Sequence, residues 1–161
     1  MDLSTYASYI PALSADWIIL GGLALFLTFD ALRAGPSRVT ALAIALPIAL
    51  WLSSSVPETA FLGSFVAQSA PALQTGAFIA IAIGLFVAIY RIADTGADSL
   101  NALQALIAGL ASALVCVCVL LQLPPDTMPW TFGEFFTRVF GDAYRLFWFV
   151  GAYFALAISR A

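Results

Sequence analysis

The chain has 161 residues, 63% of them hydrophobic and only 9% charged, with a mean hydropathy of +1.01; a water-exposed globule carries about 25% charged residues, so composition excludes one and points to lipid as the solvent. All six cations are arginine and histidine is absent, which excludes a histidine general base, His-ligated metal and a Schiff-base lysine, and with them most enzyme classes. The net charge of −3 with scattered arginines provides no basic stripe for nucleic acid.

Residues 1–15 read as an N-terminal tail. No basic residue precedes the first apolar stretch, unlike a cleavable signal peptide. A membrane-crossing helix needs roughly 20 apolar residues, and the chain provides four such runs in residues 16–123. The first covers about 16–33, with Ser14 or Asp16 as N-cap and Trp17 as an interfacial anchor. The second covers about 39–54 and contains Pro47, which frees the Ala43 carbonyl and kinks the helix unless a neighbour or water satisfies it. The third runs from about 72 to 90. The fourth, 99–123, stops at Pro124 and Pro125. Between the second and third, Ser55 and Glu58 fit a capping box ahead of Phe61, Leu62, Phe65 and Val66, as in a short surface helix.

Residues 124–161 form an aromatic-rich C-terminal segment. Thr131 and Glu134 fit a second capping box. Phe132, Phe135, Phe136, Val139 and Phe140 fill one face, while Glu134 and Arg138 pair at i, i+4 on the other, the pattern of an amphipathic helix lying in the interface plane. The apolar run Leu146 to Ile158 is about 20 Å of helix, short for a full crossing; it reads as either a short fifth span or a deep interfacial hairpin, with the span preferred. The expected fold is therefore an all-α integral membrane protein with four transmembrane helices, interfacial helices and this fifth segment. Arginines in short loops orient it: Arg33, Arg38, Arg91 and Arg160 fall on one side, against Arg138 and Arg145 on the other, so the loops with Arg33, Arg38 and Arg91 are expected to face the cytoplasm and the N-terminus the outside.

Two rows of small residues recur at four-residue spacing, Gly76, Ala80, Gly84 and Ala88 in the third span and Ala105, Gly109 and Ala113 in the fourth. Such rows let backbones approach closely, and the expectation is a packed hairpin of these two helices. Asp30 and Arg33, three apart at the end of the first span, can pair at the membrane edge; with Arg38 they read as a turn with interfacial anchors or as a partner-binding site. Asp94 and Asp98 read as solvated and capping carboxylates rather than a metal or acid–base pair, and Asp142 with Arg145 as a rim pair. Cys116 and Cys118 point about 200° apart on a helix and cannot share a metal. No cofactor is expected.

Asp16-Trp17-Ile18-Ile19-Leu20, the turn Leu32-Arg33-Ala34-Gly35 and the second basic residue Arg38 together resemble the opening of the colicin V production protein (CvpA) family. Ser99 to Ala105, then Gly109 and Ala113, is similar to that family's second hallmark, an Asp-Arg followed by spaced glycines, with Asn101 where the Asp would be and Ser112 where an Arg often sits. The resemblance covers roughly residues 16–123. It implies a multi-span bacterial inner-membrane protein linked to colicin V production and envelope physiology, with no established catalytic activity. The leading expectation is accordingly a non-enzymatic accessory or assembly factor for export or envelope processes. Its partners would be lipid and other membrane proteins, with homo-oligomerisation as a further option, and its contact residues Asp30, Arg33, Arg38, Phe132, Phe135, Phe136 and Phe140. The rival is an oligomeric channel or transporter subunit, which needs a polar path at mid-membrane from Thr28, Ser112 and the carbonyl freed by Pro47.

Overall fold

The computed structural model describes residues 15–55, 71–93, 101–123, 132–141 and 143–159, and every regular element among them is helical. These are α1 (Ala15–Ala34), α2 (Pro36–Ser55), α3 (Pro71–Ala93), α4 (Ala102–Leu120), α5 (Glu134–Phe140) and α6 (Arg145–Ser159). Four of them, α1 to α4, are long and apolar enough to cross a membrane. The N-terminal tail, the surface helix expected after Glu58, Asp94, Asp98, Thr131 and Asp142 lie outside the described residues.

Local chemistry sets the boundaries. α1 carries Asp16 in its first turn and Arg33 in its last, each complementing the helix dipole. It ends at Gly35, whose φ of 84° is open to glycine at little cost and whose N–H donates to the Ala31 carbonyl at 3.1 Å. Pro36 then starts α2 at once, where its missing N–H is harmless, so this helix begins three residues before the expected Val39. Ser55, expected to cap a following surface helix, sits instead in the last turn of α2, and its hydroxyl donates back to the Trp51 carbonyl at 3.1 Å. α4 starts after Asn101, whose backbone N–H donates to Gln104 Oε1 at 3.1 Å. It closes before the two prolines through a tightened turn in which Leu123 N–H donates to the Leu120 carbonyl.

α4 is the hub. Eleven of its residues are buried, and it packs against α1, α2 and α6, while α3 packs on α2. Alanines fill the seams: Ala24, Ala31, Ala105 and Ala113 between α1 and α4, and Ala43, Ala49, Ala108 and Ala111 where α2, α4 and α6 converge with Val115 and Leu156. Lipid supplies no hydrophobic drive for helix association, so close van der Waals packing of this kind is what holds such helices together. α1 runs antiparallel to α4, with Leu20 and Leu23 near Val117 and Cys118, and Ala31 near Ala105. Asp16 and the C-terminal ends of α2 and α4 therefore share one end of the bundle, the Asp16 end. Asp30, Arg38 and Asn101 share the other.

The small-residue hairpin expected from α3 and α4 is not the packing observed. Ala105, Gly109 and Ala113 are buried, but they face α1 and α2. Gly76, Ala80, Gly84 and Ala88 are exposed, and a Cβ built at Gly76 or Gly84 meets nothing within 4 Å. The side of α3 that turns inward presents Phe78, Ile81, Ala82 and Leu85 instead. Row spacing identifies a face that permits close approach; it does not identify the helix that uses it.

The C-terminal segment is folded onto the bundle. α5 begins at Glu134 with Gly133 as its N-cap, in place of the expected Thr131 and Glu134 box. α6 starts at the Asp16 end and runs back along α4 and α2, so its fifteen residues, about 22 Å of helix, stand beside the long helices.

Candidate functional site

Three helix crossings engage polar groups inside the bundle, while among the described residues the buried Thr40 hydroxyl, in the first turns of α2, has no hydrogen-bond partner. At the first, Thr28 of α1 lies against Gly109 of α4. Thr28 Oγ1 donates to the Ala24 carbonyl at 2.7 Å, and a Cβ added at Gly109 would lie 2.6 Å from Thr28 Cα, a separation no side chain can hold. At the second, Ser112 of α4, fully buried, donates to the Val39 carbonyl of α2 at 3.2 Å.

The third crossing answers the proline. Pro47 lies inside α2 and leaves the Ala43 carbonyl without its usual helical donor. Tyr153 of α6 donates its hydroxyl to that carbonyl at 3.0 Å. The expected need for a neighbouring partner is thus met from the aromatic C-terminal helix.

Two further contacts tie the ends. Asp16 is buried, and its Oδ2 accepts the Gly133 backbone N–H at 2.8 Å, joining the start of α1 to the start of α5. Beside it Trp17 packs edge-on against Phe136 and Phe140, with ring centroids 5.5 and 6.2 Å apart. Trp148 of α6 packs against Phe140 with its ring tilted by 43° and donates its indole N–H to the Val139 carbonyl at 2.7 Å.

At the opposite end Asp30 pairs with Arg38 at 3.0 Å, not with Arg33 as expected from i+3 spacing. The single-residue turn at Gly35 brings the first turn of α2 back across the last turn of α1, which puts the Arg38 guanidinium within reach; Arg33 is exposed.

The aromatic face of α5 also departs from expectation. A helix lying in the interface would turn Phe132, Phe135, Phe136 and Phe140 to lipid together. Instead Phe136 and Phe140 are buried against Val117 and Cys118 of α4, Phe132 is half-buried on Phe136, and Phe135 is exposed. The expected Glu134 and Arg138 pair is present at 3.5 Å on the solvent side. Cys116 and Cys118 are free and buried. Among the described residues, no three His, Cys, Asp or Glu side chains gather in a metal-binding group.

One feature of the Asp16 end has no counterpart in the sequence reading. A groove of about 430 Å³ opens between α2 and α6, with Pro47, Leu50 and Phe149 along its length and Trp51, Ser54, Gln122 and Arg145 around its mouth. On α2 its residues fall at i, i+3, i+4 and i+7, a spacing that an apolar helix conceals because every face looks alike. The chain matches no protein-family model, no curated protein sequence and no solved structure. The fold itself therefore defines the class: a helical bundle with four helices able to span a membrane.

Proposed function

We propose that the chain is a multi-pass protein of a bacterial inner membrane that acts without catalysis, as an accessory or assembly factor for export or envelope processes, the role implied by its resemblance to colicin V production proteins. One observation carries this reading against the channel alternative. The mid-helix hydroxyls of Thr28, Ser112 and Tyr153 each donate to a backbone carbonyl, and the carbonyl freed by Pro47 is taken by Tyr153. Groups that would have lined a polar path are engaged in holding the backbone and the helices together. Contact with other membrane proteins then falls to the outer surface, where α3 packs on α2 and turns Gly76, Ala80, Gly84 and Ala88 outward.

Photo-crosslinkers placed at Ala80 and at Phe135 in native membranes test the proposal, with a parallel measurement of ion and solute flux through proteoliposomes. Discrete membrane-protein adducts without flux are the expected result. Flux above that of protein-free vesicles would replace the accessory role by the channel reading.

A further inference from the structure

The groove between α2 and α6 changes character along its length. Ser54, Gln122 and Arg145 sit together at the Asp16 end, near the last turn of α2, just past the end of α4 and at the first residue of α6. Leu50 and Phe149 lie a turn deeper, and Pro47 about 10 Å below Ser54 along α2. One turn further along α6, Tyr153 stacks on Phe149 at 6.4 Å and is anchored on the Ala43 carbonyl. Trp51, exposed on the rim beside Leu50, lies within a turn of Ser54 near the end of α2, a position consistent with tryptophan's preference for membrane boundaries.

We propose that this groove binds one phospholipid molecule, its phosphodiester at Arg145 and Gln122 and one acyl chain lying along Leu50 and Phe149 toward Pro47. The inference rests on the membrane placement proposed above and adds a specific ligand to it. Among the described residues lining the groove, Arg145 is the charged one, and a guanidinium, with five N–H donors, matches a phosphate with paired N–H groups. Gln122 donates one amide hydrogen to the Cys118 carbonyl at 2.9 Å and has a second to give. The apolar walls below would be a poor site for a water-soluble anion, which needs polar contacts on all sides. They suit a hydrocarbon chain continuous with the headgroup, and the groove runs along the helices, the direction in which a bilayer lipid lies.

Native mass spectrometry of the full chain, delipidated in detergent and titrated with dioleoyl phosphatidylglycerol, tests the assignment. One lipid should be retained above the statistical background of micellar lipid. Arg145→Gln should weaken retention about tenfold through the loss of a charge-assisted contact. Ser54→Trp, which fills the mouth from an exposed position, should do the same while leaving the unfolding temperature unchanged, and it decides the question if Arg145→Gln unfolds the protein. Glycerol 3-phosphate, which has the phosphate and no chains, should not compete. Wild-type retention no greater than background, equal retention by a folded Ser54→Trp variant, or displacement by glycerol 3-phosphate would each overturn the proposal. Membrane partitioning is read separately on the same material, so a protein that floats with vesicles but holds no lipid refutes the groove and not the membrane placement.

Discussion

The carboxylate of Asp16, in the first turn of α1, accepts the backbone N–H of Gly133, which caps α5 more than a hundred residues later. Asp16 is only 5% exposed, so the carboxyl is buried where it links the start of α1 to the C-terminal segment. This link explains how a helix of seven residues, too short to be stable alone, is fixed in place: one end is tied to Asp16, and its inner face is set against Trp17 and Trp148.

Asp16→Ala should therefore lower stability by about 1–3 kcal/mol, because it removes this hydrogen bond and leaves the Gly133 N–H unpaired. Asp16→Asn keeps a carbonyl oxygen at the same place and should lose less. Thermal unfolding in detergent compares the two; equal melting temperatures for parent and Asp16→Ala would mean that the link contributes nothing.

The two small-residue rows now predict opposite outcomes. Gly109→Ala should destabilise by about 1–3 kcal/mol or prevent assembly, since its Cβ would overlap Thr28, and Gly109→Leu should be worse. Gly84→Leu should leave the melting temperature of the isolated protein unchanged, because the added side chain enters open space. If both leucine variants fold and melt alike, the close crossing of α1 and α4 is absent.

These rows also mark what was legible in the sequence. The four long helices and their approximate limits followed from apolar length, and the demand for a partner at Ala43 followed from Pro47, because both are local consequences of backbone chemistry. Pairing was not legible. Gly76 and Gly84 have the same spacing as Ala105 and Gly109, and which row meets a neighbour depends on tertiary geometry that spacing does not encode. The Asp30 partner was lost for the same reason: Arg33 is nearer in sequence, but the turn at Gly35 makes Arg38 nearer in space. Tyr153 could have been nominated, since it is a hydroxyl donor in an apolar helix of a chain whose Pro47 frees a mid-helix carbonyl.

Tyr153→Phe should cost about 0.5–2 kcal/mol, the range for interhelical hydrogen bonds in membrane proteins. The sharper test is a double-mutant cycle with Pro47→Ala. Alanine at 47 restores an N–H that can reach the Ala43 carbonyl within α2, so Tyr153→Phe should cost less in that background than in the parent. Strict additivity of the two changes would show that Tyr153 does not serve the carbonyl freed by proline.

Orientation can be read with single cysteines at exposed sites of opposite ends. Glu134→Cys, at the Asp16 end, should react with an impermeant maleimide in intact cells, and Asn101→Cys, at the Asp30 end, only after permeabilisation. Ser37, though it lies in the arginine-bearing turn, is a poor probe because it is buried. Labelling of Asn101→Cys in intact cells would invert the topology.

Half of the chain's 22 aromatic residues fall between Trp130 and Phe154, and their role separates a peripheral tail from a structural one. A face of four phenylalanines reads equally well as lipid-seeking or core-forming, and a short helix offers no second turn of evidence to choose between them. The burial is uneven: Phe136 is 1% exposed and Phe135 66%. Phe136→Ala should therefore cost about 3–5 kcal/mol, whereas Phe135→Ala should stay within about 0.5 kcal/mol. The same geometry predicts that the four long helices do not stand alone when the chain is cut after Leu123. The cut removes the aromatic packing on Val117 and Cys118, the α6 contacts along α4 and the donor for the Ala43 carbonyl in one step. The truncated chain should be degraded or greatly reduced in the membrane fraction. Recovery of the truncated protein at parental abundance and melting temperature would show that α5 and α6 are an appendage and not part of the folded core.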